Sequence, residues 1–476
     1  MEKDSLKLVA EALRRLEEGF AGLPEHEGKD VRGARERIAE RAGAREMERA
    51  SESIGEEKIL EVMMQTAERM RDNFPYFHPL YAGQMLKPPH PVARAAYALA
   101  MWINPNNHAL DGGRASSAME KEAVAEIAGM FGWKDFLGHL CGGGTMANLE
   151  ALWIAGQCAP GKFILGSDQS HYTHERISQV LQLKFEKVAS DARGRMDIRA
   201  LKERVGRGDV GTVVATMGTT ATGSVDPLRE ILEVRGAEGG GGNFRVHADA
   251  AYGGYFTLAR NLGSEARRHF DAIGEADSIV IDPHKHGLQP YGCGSVMFRD
   301  ASVVRFYKHN SPYTYFTAAD LHLGEISLEC SRPGASAVAL WATQRLFPLV
   351  RDGEFGAGLE KGRSAALKFY ELLRGDGRWI TAFEPELDIL IFAPRAGSVK
   401  EISKRSREIF ERAAKENLHL ALAELPIRFF EELEETSGTV TCLRSVLMKP
   451  EHLEWVEEIW RILERVSTVL EKHESR

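Results

Sequence analysis

From about residue 120 onward, short β-rich runs alternate with helical stretches, and this alternation constrains the fold more than any other feature of the chain. The β-rich runs lie at 162–167, 212–217, 244–249, 277–282 and 294–298. Helical patterns lie near 117–131, 145–157, 174–183, 197–205 and 226–235. Strands that alternate with helices form a mostly parallel sheet with right-handed crossovers, so we predict an α/β fold. Such sheets bind ligands beyond the carboxyl ends of their strands, which makes the residues after each strand the candidate functional residues.

The segments on either side of this α/β region have a different character. After a predicted helix at 335–350, the remainder reads as helices and a few strands, which indicates a smaller α+β domain. At the N-terminus, amphipathic helices are predicted over 5–20 and about 56–72. Their apolar stripes pack either on their own domain or across a dimer. We therefore predict an N-terminal helical segment at 1–75, a large domain at 76–350 and a small domain at 351–476.

Composition excludes several classes of protein. The 476 residues carry 61 Lys+Arg against 69 Asp+Glu, and 43% are hydrophobic. This is enough apolar material for a large core, and the mild acidity argues against a nucleic-acid-binding protein. Five widely spaced cysteines without a C-x-x-C pair favour neither a disulfide framework nor a zinc site. No apolar run suits a membrane span or a secretory signal, so we expect a cytoplasmic protein without a membrane partner.

A glycine-rich turn, CGGGTMANL, begins at Cys141 and leads into a predicted helix. Free N–H groups at a helix start bind anions, and glycines allow the backbone to approach a phosphate closely. Gly143, Gly144 and Thr145 are therefore candidate phosphate ligands, although a plain turn would have the same appearance. The pattern is neither G-x-G-x-x-G nor a Walker A loop, so it does not indicate a nucleotide.

Three further clusters follow predicted strands. His171 lies in SDQSHYTHERI, Asp249 in HADAAYGGY and Lys285 in DPHKHG. An imidazole can stack on a flat cofactor, a carboxylate can hold a cationic nitrogen, and a lysine shielded from water becomes a nucleophile suited to Schiff-base formation. Taken one at a time, the same residues could be a surface histidine, a helix-capping aspartate and a loop lysine.

Together, these clusters meet the requirements of pyridoxal phosphate (PLP): an anion cradle, a stacking ring, a partner for the ring nitrogen and an amine for the aldehyde. In these motifs the chain resembles the group II PLP-dependent amino-acid decarboxylases, the family of aromatic-amino-acid, tyrosine and glutamate decarboxylases. The resemblance spans about residues 75–340 and also includes ATMGTTATGSVDPL. It implies PLP fold type I, with a seven-stranded large domain, a small C-terminal domain and a swapped N-terminal segment in a homodimer. It thus favours the dimer interpretation of residues 1–72.

The resemblance also implies roles for individual residues. Lys285 corresponds to the lysine that binds the cofactor's aldehyde, Asp249 to the aspartate paired with the ring nitrogen, and His171 to the stacking histidine. A protonated ring nitrogen makes the cofactor the electron sink that decarboxylation needs. The other implied cofactor contacts are Gly143, Gly144, Thr145, Thr219, Thr220, Ala251 and His284. No metal is expected.

The proton donor and the substrate contacts are less sharply defined. In relatives, a tyrosine on a loop protonates the substrate's α-carbon, and the corresponding stretch here, 306–325, offers Tyr313 and Tyr315. For the substrate, Tyr81 and His108 lie in segments that resemble the substrate-facing region. Arg114 either recognises an acidic side chain in a bidentate fork or lies on the surface at a helix start. We rank aromatic amino acids slightly above acidic ones.

Some features depart from this pattern or leave alternatives. Asp282 stands where many relatives carry asparagine, and its charge would repel a phosphate unless it is protonated or turned away. Arg332 could hold an anion or form a structural salt bridge. A carbon–carbon lyase of the sphingosine-phosphate lyase type shares the aspartate and the histidine–lysine pair. A binding protein without activity is disfavoured because Lys285, Asp249 and His171 are retained together. A dehydrogenase is disfavoured because the expected glycine fingerprint is missing.

Overall fold

The computed structural model describes residue 12 and residues 55–236, 243–308, 322–435 and 437–474. Tertiary contacts divide the chain into two compact units, with the division between Tyr76 and Phe77. The predicted helix at 5–20, the glycine run at 239–242 and Tyr313 and Tyr315 lie outside the described residues, apart from position 12. The predicted division at 350/351 falls inside the larger unit and stays a prediction.

The helices are numbered here in chain order. They are α1 Glu56–Met70, α2 Pro91–Met101, α3 Leu110–Met130, α4 Gly144–Cys158, α5 Thr173–Val180, α6 Ile198–Val205, α7 Leu228–Gly236, α8 Ser264–Asp271, α9 Val304–Tyr307, α10 Gly334–Leu346, α11 Glu354–Arg374, α12 Val399–Lys415 and α13 His452–Glu474.

The strands form two sheets within the described residues. They are β1 Leu137–Cys141, β2 Phe163–Ser167, β3 Lys184–Val188, β4 Val210–Thr216, β5 Arg245–Asp249, β6 Ser278–Ile281, β7 Gly294–Phe298, β8 Trp379–Thr381, β9 Ile389–Pro394, β10 Ala421–Pro426 and β11 Thr439–Val446. The first seven pair in the order β1-β7-β6-β5-β4-β2-β3, and the last four in the order β10-β11-β9-β8.

The large sheet is the predicted mostly parallel, seven-stranded sheet. Strand β7 runs antiparallel to both of its neighbours, β1 and β6, and the other pairings are parallel. Every residue of β4, β6 and β7 is buried, which explains why these strands read as continuous apolar runs. The α/β expectation is confirmed, and strands β4, β5 and β6 end at one edge of the sheet.

The second sheet is antiparallel and belongs to the C-terminal part of the larger unit. Helices α11, α12 and α13 pack with it around a separate apolar cluster that includes Phe369, Phe392 and Leu443. The sequence predicted the strand that became β9 and a final helix from about 452, and the structure has both. This region is the predicted α+β arrangement.

Helix α1, in the smaller unit, agrees with the amphipathic helix predicted over about 56–72. Its apolar side chains are exposed, with Leu60 at 62%, Met63 at 58% and Met64 at 62% of their full accessibility.

The five cysteines are free. Among the described residues, no helix is both long and apolar enough to cross a membrane.

Candidate active site

A cavity of about 620 Å³ opens where β4, β5 and β6 end. Its walls include the glycine turn before α4, His171 before α5, Asp249 at the end of β5 and Lys285 after β6. These residues are far apart in the sequence and meet because the carboxyl ends of parallel strands share one edge of the sheet. The structure thus brings together the four clusters that the sequence singled out.

The glycine turn has a shape that only glycine provides. Gly143 adopts φ +135°, and a Cβ there would lie 3.1 Å from His284 Cε1. A Cβ on Gly144 would lie 2.6 Å from Asp282 Oδ2. The turn ends at Gly144, where α4 begins, and Thr145 is exposed to the cavity. The first N–H groups of α4 therefore face an open, polar space, which is the arrangement that binds a phosphate.

Lys285 is paired rather than fully buried. Its Nζ lies 3.0 Å from Asp282 Oδ2, and its side chain is 21% exposed. Asp282 is buried, with its Oδ2 also 3.6 Å from His284 Nε2. The carboxylate whose charge conflicted with a phosphate is thus paired with the Lys285 ammonium. Lys285 is held at the cavity wall by an ionic partner three residues earlier.

Asp249 ends β5 inside the cavity and is 5% exposed. Its Oδ2 accepts a 2.8 Å hydrogen bond from Nε2 of His174, a fully buried residue of α5. Burial alone would raise the pKa of this carboxyl, but the His174 hydrogen bond and nearby positive charge hold the pKa well below its usual range. Asp249 is therefore ionised, as a partner of a protonated ring nitrogen must be.

Two other histidines face the cavity in neutral form. Burial lowers the pKa of His171, whose Nδ1 lies 2.7 Å from Thr173 Oγ1. Burial also lowers the pKa of His284, whose Nδ1 donates to the Cys293 carbonyl at 2.8 Å. Hydrogen bonds to fixed partners set the orientation of both rings, which suits stacking and positioning.

The two threonines of the MGTT segment are separated by the structure. Thr220 is exposed and lines the cavity, while its carbonyl accepts from Arg444 Nη2 at 2.8 Å. Thr219 is fully buried outside the cavity wall, and its hydroxyl lies 2.7 Å from Thr222 Oγ1. Ala251, by contrast, lines the cavity as expected for an alanine beneath a ring.

The residues suggested for substrate contact do not line this cavity within the described chain. Tyr81 is buried and pairs with His419 of the C-terminal region. Arg114 is exposed on α3, and His108 lies next to Cys330, with Nε2 and Sγ 3.7 Å apart. Arg332 forms a buried ion pair with Glu120 at 2.9 Å, which is the structural alternative named for it.

Sequence reasoning missed three residues at this site. His174 is the partner of Asp249, and its only signal was a second histidine one helical turn after His171. Tyr172 and Tyr291 line the cavity with 68% and 56% of their surfaces exposed. Tyr291 lies against His284, with ring centroids 4.8 Å apart. Nothing in the pattern around either tyrosine marked it as a cavity residue.

These observations fit PLP. The cradle at Gly143 and Gly144 has no room for a Cβ, the Asp249 carboxylate is ionised and buried, and the amine of Lys285 lies on the same cavity. Those are an anion site, a partner for a pyridinium nitrogen and a nucleophile for an aldehyde.

Comparison with known proteins agrees with this geometry. The family described as pyridoxal-dependent decarboxylase conserved domain matches residues 157–394, which is half of the chain. An L-tyrosine decarboxylase of Enterococcus faecium is 29% identical, with 66% of this chain and 67% of the relative covered. A probable L-tyrosine/L-aspartate decarboxylase of Methanothermobacter thermautotrophicus is 28% identical, with 69% and 86% covered.

The fold has solved counterparts. The structure of Oryza sativa TDC with PLP and tryptamine aligns with a TM-score of 0.73 at 20% identity, covering 86% of this chain and 88% of that one. At this level of identity the alignment shows the PLP fold type I architecture and nothing finer.

Proposed function

The chain belongs to the group II pyridoxal-dependent decarboxylases and is a PLP-dependent amino-acid carboxy-lyase, and we propose that its substrate is an aromatic L-amino acid. The observation that carries this proposal is the composition of the cavity wall. Tyr172, Tyr252 and Tyr291 line it, and among the described lining residues there is no arginine. An acidic side chain is best recognised by a bidentate guanidinium, whereas an aromatic ring packs on other rings.

The proposed roles of the cofactor-binding residues follow from their positions. When bound, PLP draws electrons from the substrate's α-carbon, which allows the carboxylate to leave as CO₂. Lys285 would hold the aldehyde, and the ionised Asp249 would keep the ring nitrogen protonated. His171 would stack on the ring, with Ala251 beneath it. The N–H groups of the glycine turn and the Thr145 hydroxyl would bind the phosphate, and Thr220 and His284 would contact the cofactor from the same cavity wall.

Either Tyr313 or Tyr315 is the proposed proton donor to the substrate's α-carbon. This assignment depends on the resemblance, since both residues lie outside the described chain. Replacing the donor with phenylalanine removes the phenolic proton and is expected to lower kcat by about 100-fold or more, while the other replacement leaves kcat within a few-fold of wild type. Equal activity of the two single variants would contradict the assignment.

The substrate assignment is tested with purified, PLP-loaded protein and a panel of L-tyrosine, L-phenylalanine, L-tryptophan, L-aspartate and L-glutamate. CO₂, amine and aldehyde are measured for each. We expect the highest kcat/KM for an aromatic amino acid, with amine and CO₂ in equal amounts. A higher kcat/KM for L-aspartate would overturn the proposal and favour the second activity in the name of the Methanothermobacter relative. Aldehyde as the main product would indicate a carbon–carbon lyase or oxidative reaction.

Two variants separate the aromatic and acidic alternatives within the same enzyme. Tyr291→Ala removes an aromatic wall and should lower kcat/KM for the aromatic substrate by about tenfold. Arg114→Met removes the guanidinium on α3 and should leave that kcat/KM unchanged. The acidic alternative predicts a different result. L-Aspartate would be the better substrate of the wild type, and Arg114→Met would selectively lose activity toward it, which would show that Arg114 recognises an acidic side chain.

We also propose that the enzyme is a homodimer. Helix α1 exposes an apolar stripe that includes Leu60, Met63 and Met64. Contiguous exposed apolar surface of this kind marks an interface. A second copy of the chain is the occupant that the resemblance implies for this segment.

A further inference from the structure

A second cavity, of about 540 Å³, is lined by His286, the residue that follows Lys285. Lys285 itself lines the active-site cavity. The second cavity is bounded by the segment before α2, by the start of α11 and by the loop before α13. None of its lining residues lines the active-site cavity.

Three polar groups of this cavity have unused hydrogen-bonding capacity among the described residues. His286 is 1% exposed, and neither of its ring nitrogens makes a hydrogen bond with the described residues, although Nε2 lies 3.3 Å from Asp388 Oδ2. The Lys87 ammonium likewise forms no hydrogen bond or ion pair within the described chain. Lys449, 3% exposed, donates one hydrogen bond to the Tyr81 carbonyl at 2.6 Å and has two further N–H donors.

Basic side chains outnumber acidic ones on the wall of the second cavity. Four basic side chains, Lys87, Arg94, Lys361 and Lys449, and two acidic ones, Glu354 and Glu451, face the cavity. Burial lowers the pKa of Lys87 to about 8 and that of Lys449 to about 7. The carboxylates of Asp388 and Glu451 oppose this lowering at Lys87, and that of Glu451 opposes it at Lys449. Buried polar groups in proteins nearly always have hydrogen-bond partners. A lysine without a hydrogen bond, a second lysine with unused N–H donors and an imidazole without a hydrogen bond on one cavity therefore indicate a missing acceptor.

The rest of the wall is apolar. Leu288, Phe347 and Phe355 line it together with several prolines. An inorganic ion would leave this apolar surface exposed to solvent, whereas the hydrocarbon part of a small organic molecule would bury it.

We propose that the second cavity is a binding site for a small organic carboxylate. The carboxylate lies between Lys87 and Lys449 and accepts from their ammonium groups, and the organic body packs against the apolar wall. The carboxylate supplies the hydrogen-bond acceptors that the described residues do not give to these ammonium groups, and it offsets the excess of basic side chains on the wall. This site is separate from the substrate site, because the Lys285 cavity has its own lining.

Isothermal titration calorimetry on the full-length, PLP-loaded enzyme tests the proposal with benzoate as probe. Benzamide, which has the same shape without the charge, and inorganic phosphate, which has charge without an apolar body, are titrated in parallel. Lys87→Gln and Lys449→Gln each remove one ammonium. Lys404→Gln, an exposed lysine of α12, is the matched control. Titrations in two buffers of different ionisation enthalpy report proton uptake.

We expect benzoate to bind the wild type and the Lys404→Gln variant equally, and each cavity variant about tenfold or more weakly. Binding should also take up protons near pH 8, because a bound anion raises the pKa of both lysines. Absence of benzoate binding to wild type would overturn the proposal. Equal binding by Lys87→Gln, which would place benzoate in the substrate cavity, would also overturn it, as would equally tight binding of benzamide or phosphate. If Lys449→Gln fails to fold, the Lys87→Gln result decides alone.

Discussion

At the scale of single residues, the site depends on how Asp249 is kept ionised in a buried position. Burial opposes the charge, and the hydrogen bond from His174 offsets that effect. His174 does not line the cavity, so it acts on the cofactor only through Asp249. A charge-assisted hydrogen bond of this kind contributes about 1.5–3 kcal/mol.

Replacing His174 with phenylalanine is expected to raise the PLP dissociation constant by about 10–100-fold. Without the hydrogen bond, the pKa of Asp249 rises, so the affinity of the variant should fall further as the pH is lowered, while that of the wild type changes less. Fluorescence titration of PLP at several pH values measures both effects. Glu175→Gln, at the next residue of α5, is the control, and equal affinities for wild type and His174→Phe would contradict the role.

Single residues also show where sequence reasoning ends. Lys285 and Asp249 could be predicted because Asp249 ends a recognisable strand and Lys285 lies in the loop after the next one, so topology alone places both at the sheet edge. His174 could not, because its partner lies 75 positions away and the contact depends on how α5 packs. Thr219 and Thr220 are adjacent in sequence, and only the turn geometry determines which one faces the cavity.

At the scale of elements, the glycine turn and α4 form the anion site. A residue with a Cβ at position 143 would adopt a left-handed conformation and contact His284. Such strain costs about 1–3 kcal/mol. The shape of the turn therefore depends on a glycine at position 143.

Gly143→Ala is expected to lower the free energy of unfolding by about 1–3 kcal/mol and to weaken PLP binding. Gly129→Ala is the matched control, because a Cβ at that helical position has nothing within 4 Å, and it should leave stability unchanged or raise it by up to about 1 kcal/mol. Urea unfolding and PLP titration measure both variants. A Gly143→Ala variant as stable as wild type, with wild-type affinity, would contradict the cradle.

Some strands could be predicted from the amino-acid sequence, and others could not. The run at 294–298 became a strand with the predicted bounds because all five of its residues are buried, which gives it a recognisable apolar pattern. Strand β3, with the sequence KFEKV, was missed because it is a charged edge strand with little apolar pattern. Strand β1 was missed because its five residues, LGHLC, are interrupted by glycine and histidine.

At the scale of the whole molecule, several histidines are buried in the neutral form. Burial lowers the pKa of His247 and of His452 to about 3. His452 donates to the Pro79 carbonyl at 3.0 Å and accepts from the Lys449 N–H at 3.1 Å, so it fixes the loop before α13. The unfolded state binds protons at these residues before the folded state does.

The free energy of unfolding should therefore fall as the pH drops below about 6.5, and continue to fall until about 3. His452→Gln removes one of these groups and is expected to reduce the loss of stability between pH 7 and pH 5 by about 1–2 kcal/mol. Urea unfolding at the two pH values gives the difference. The same loss in wild type and variant would show that His452 does not contribute.

The proposed dimer gives a second prediction at this scale. Leu60→Glu combined with Met63→Glu places charges on the apolar stripe of α1 and should shift the protein to monomers in sedimentation velocity. Gln65→Glu, an exposed polar position of the same helix, should not. A wild-type protein that is monomeric, or a double variant that stays dimeric, would contradict the assignment of this stripe to the interface.

The measurement that tests the central claim most directly is the identity of the lysine that binds PLP. The PLP-loaded enzyme is reduced with borohydride, digested, and mapped by mass spectrometry. We predict that the cofactor is attached to Lys285 and that the Lys285→Ala variant carries no label while remaining folded. Lys87 and Lys449 are the natural competitors, because burial lowers their pKa values and makes their amines more reactive. Label on either of them, or an unlabelled wild-type protein, would contradict the account.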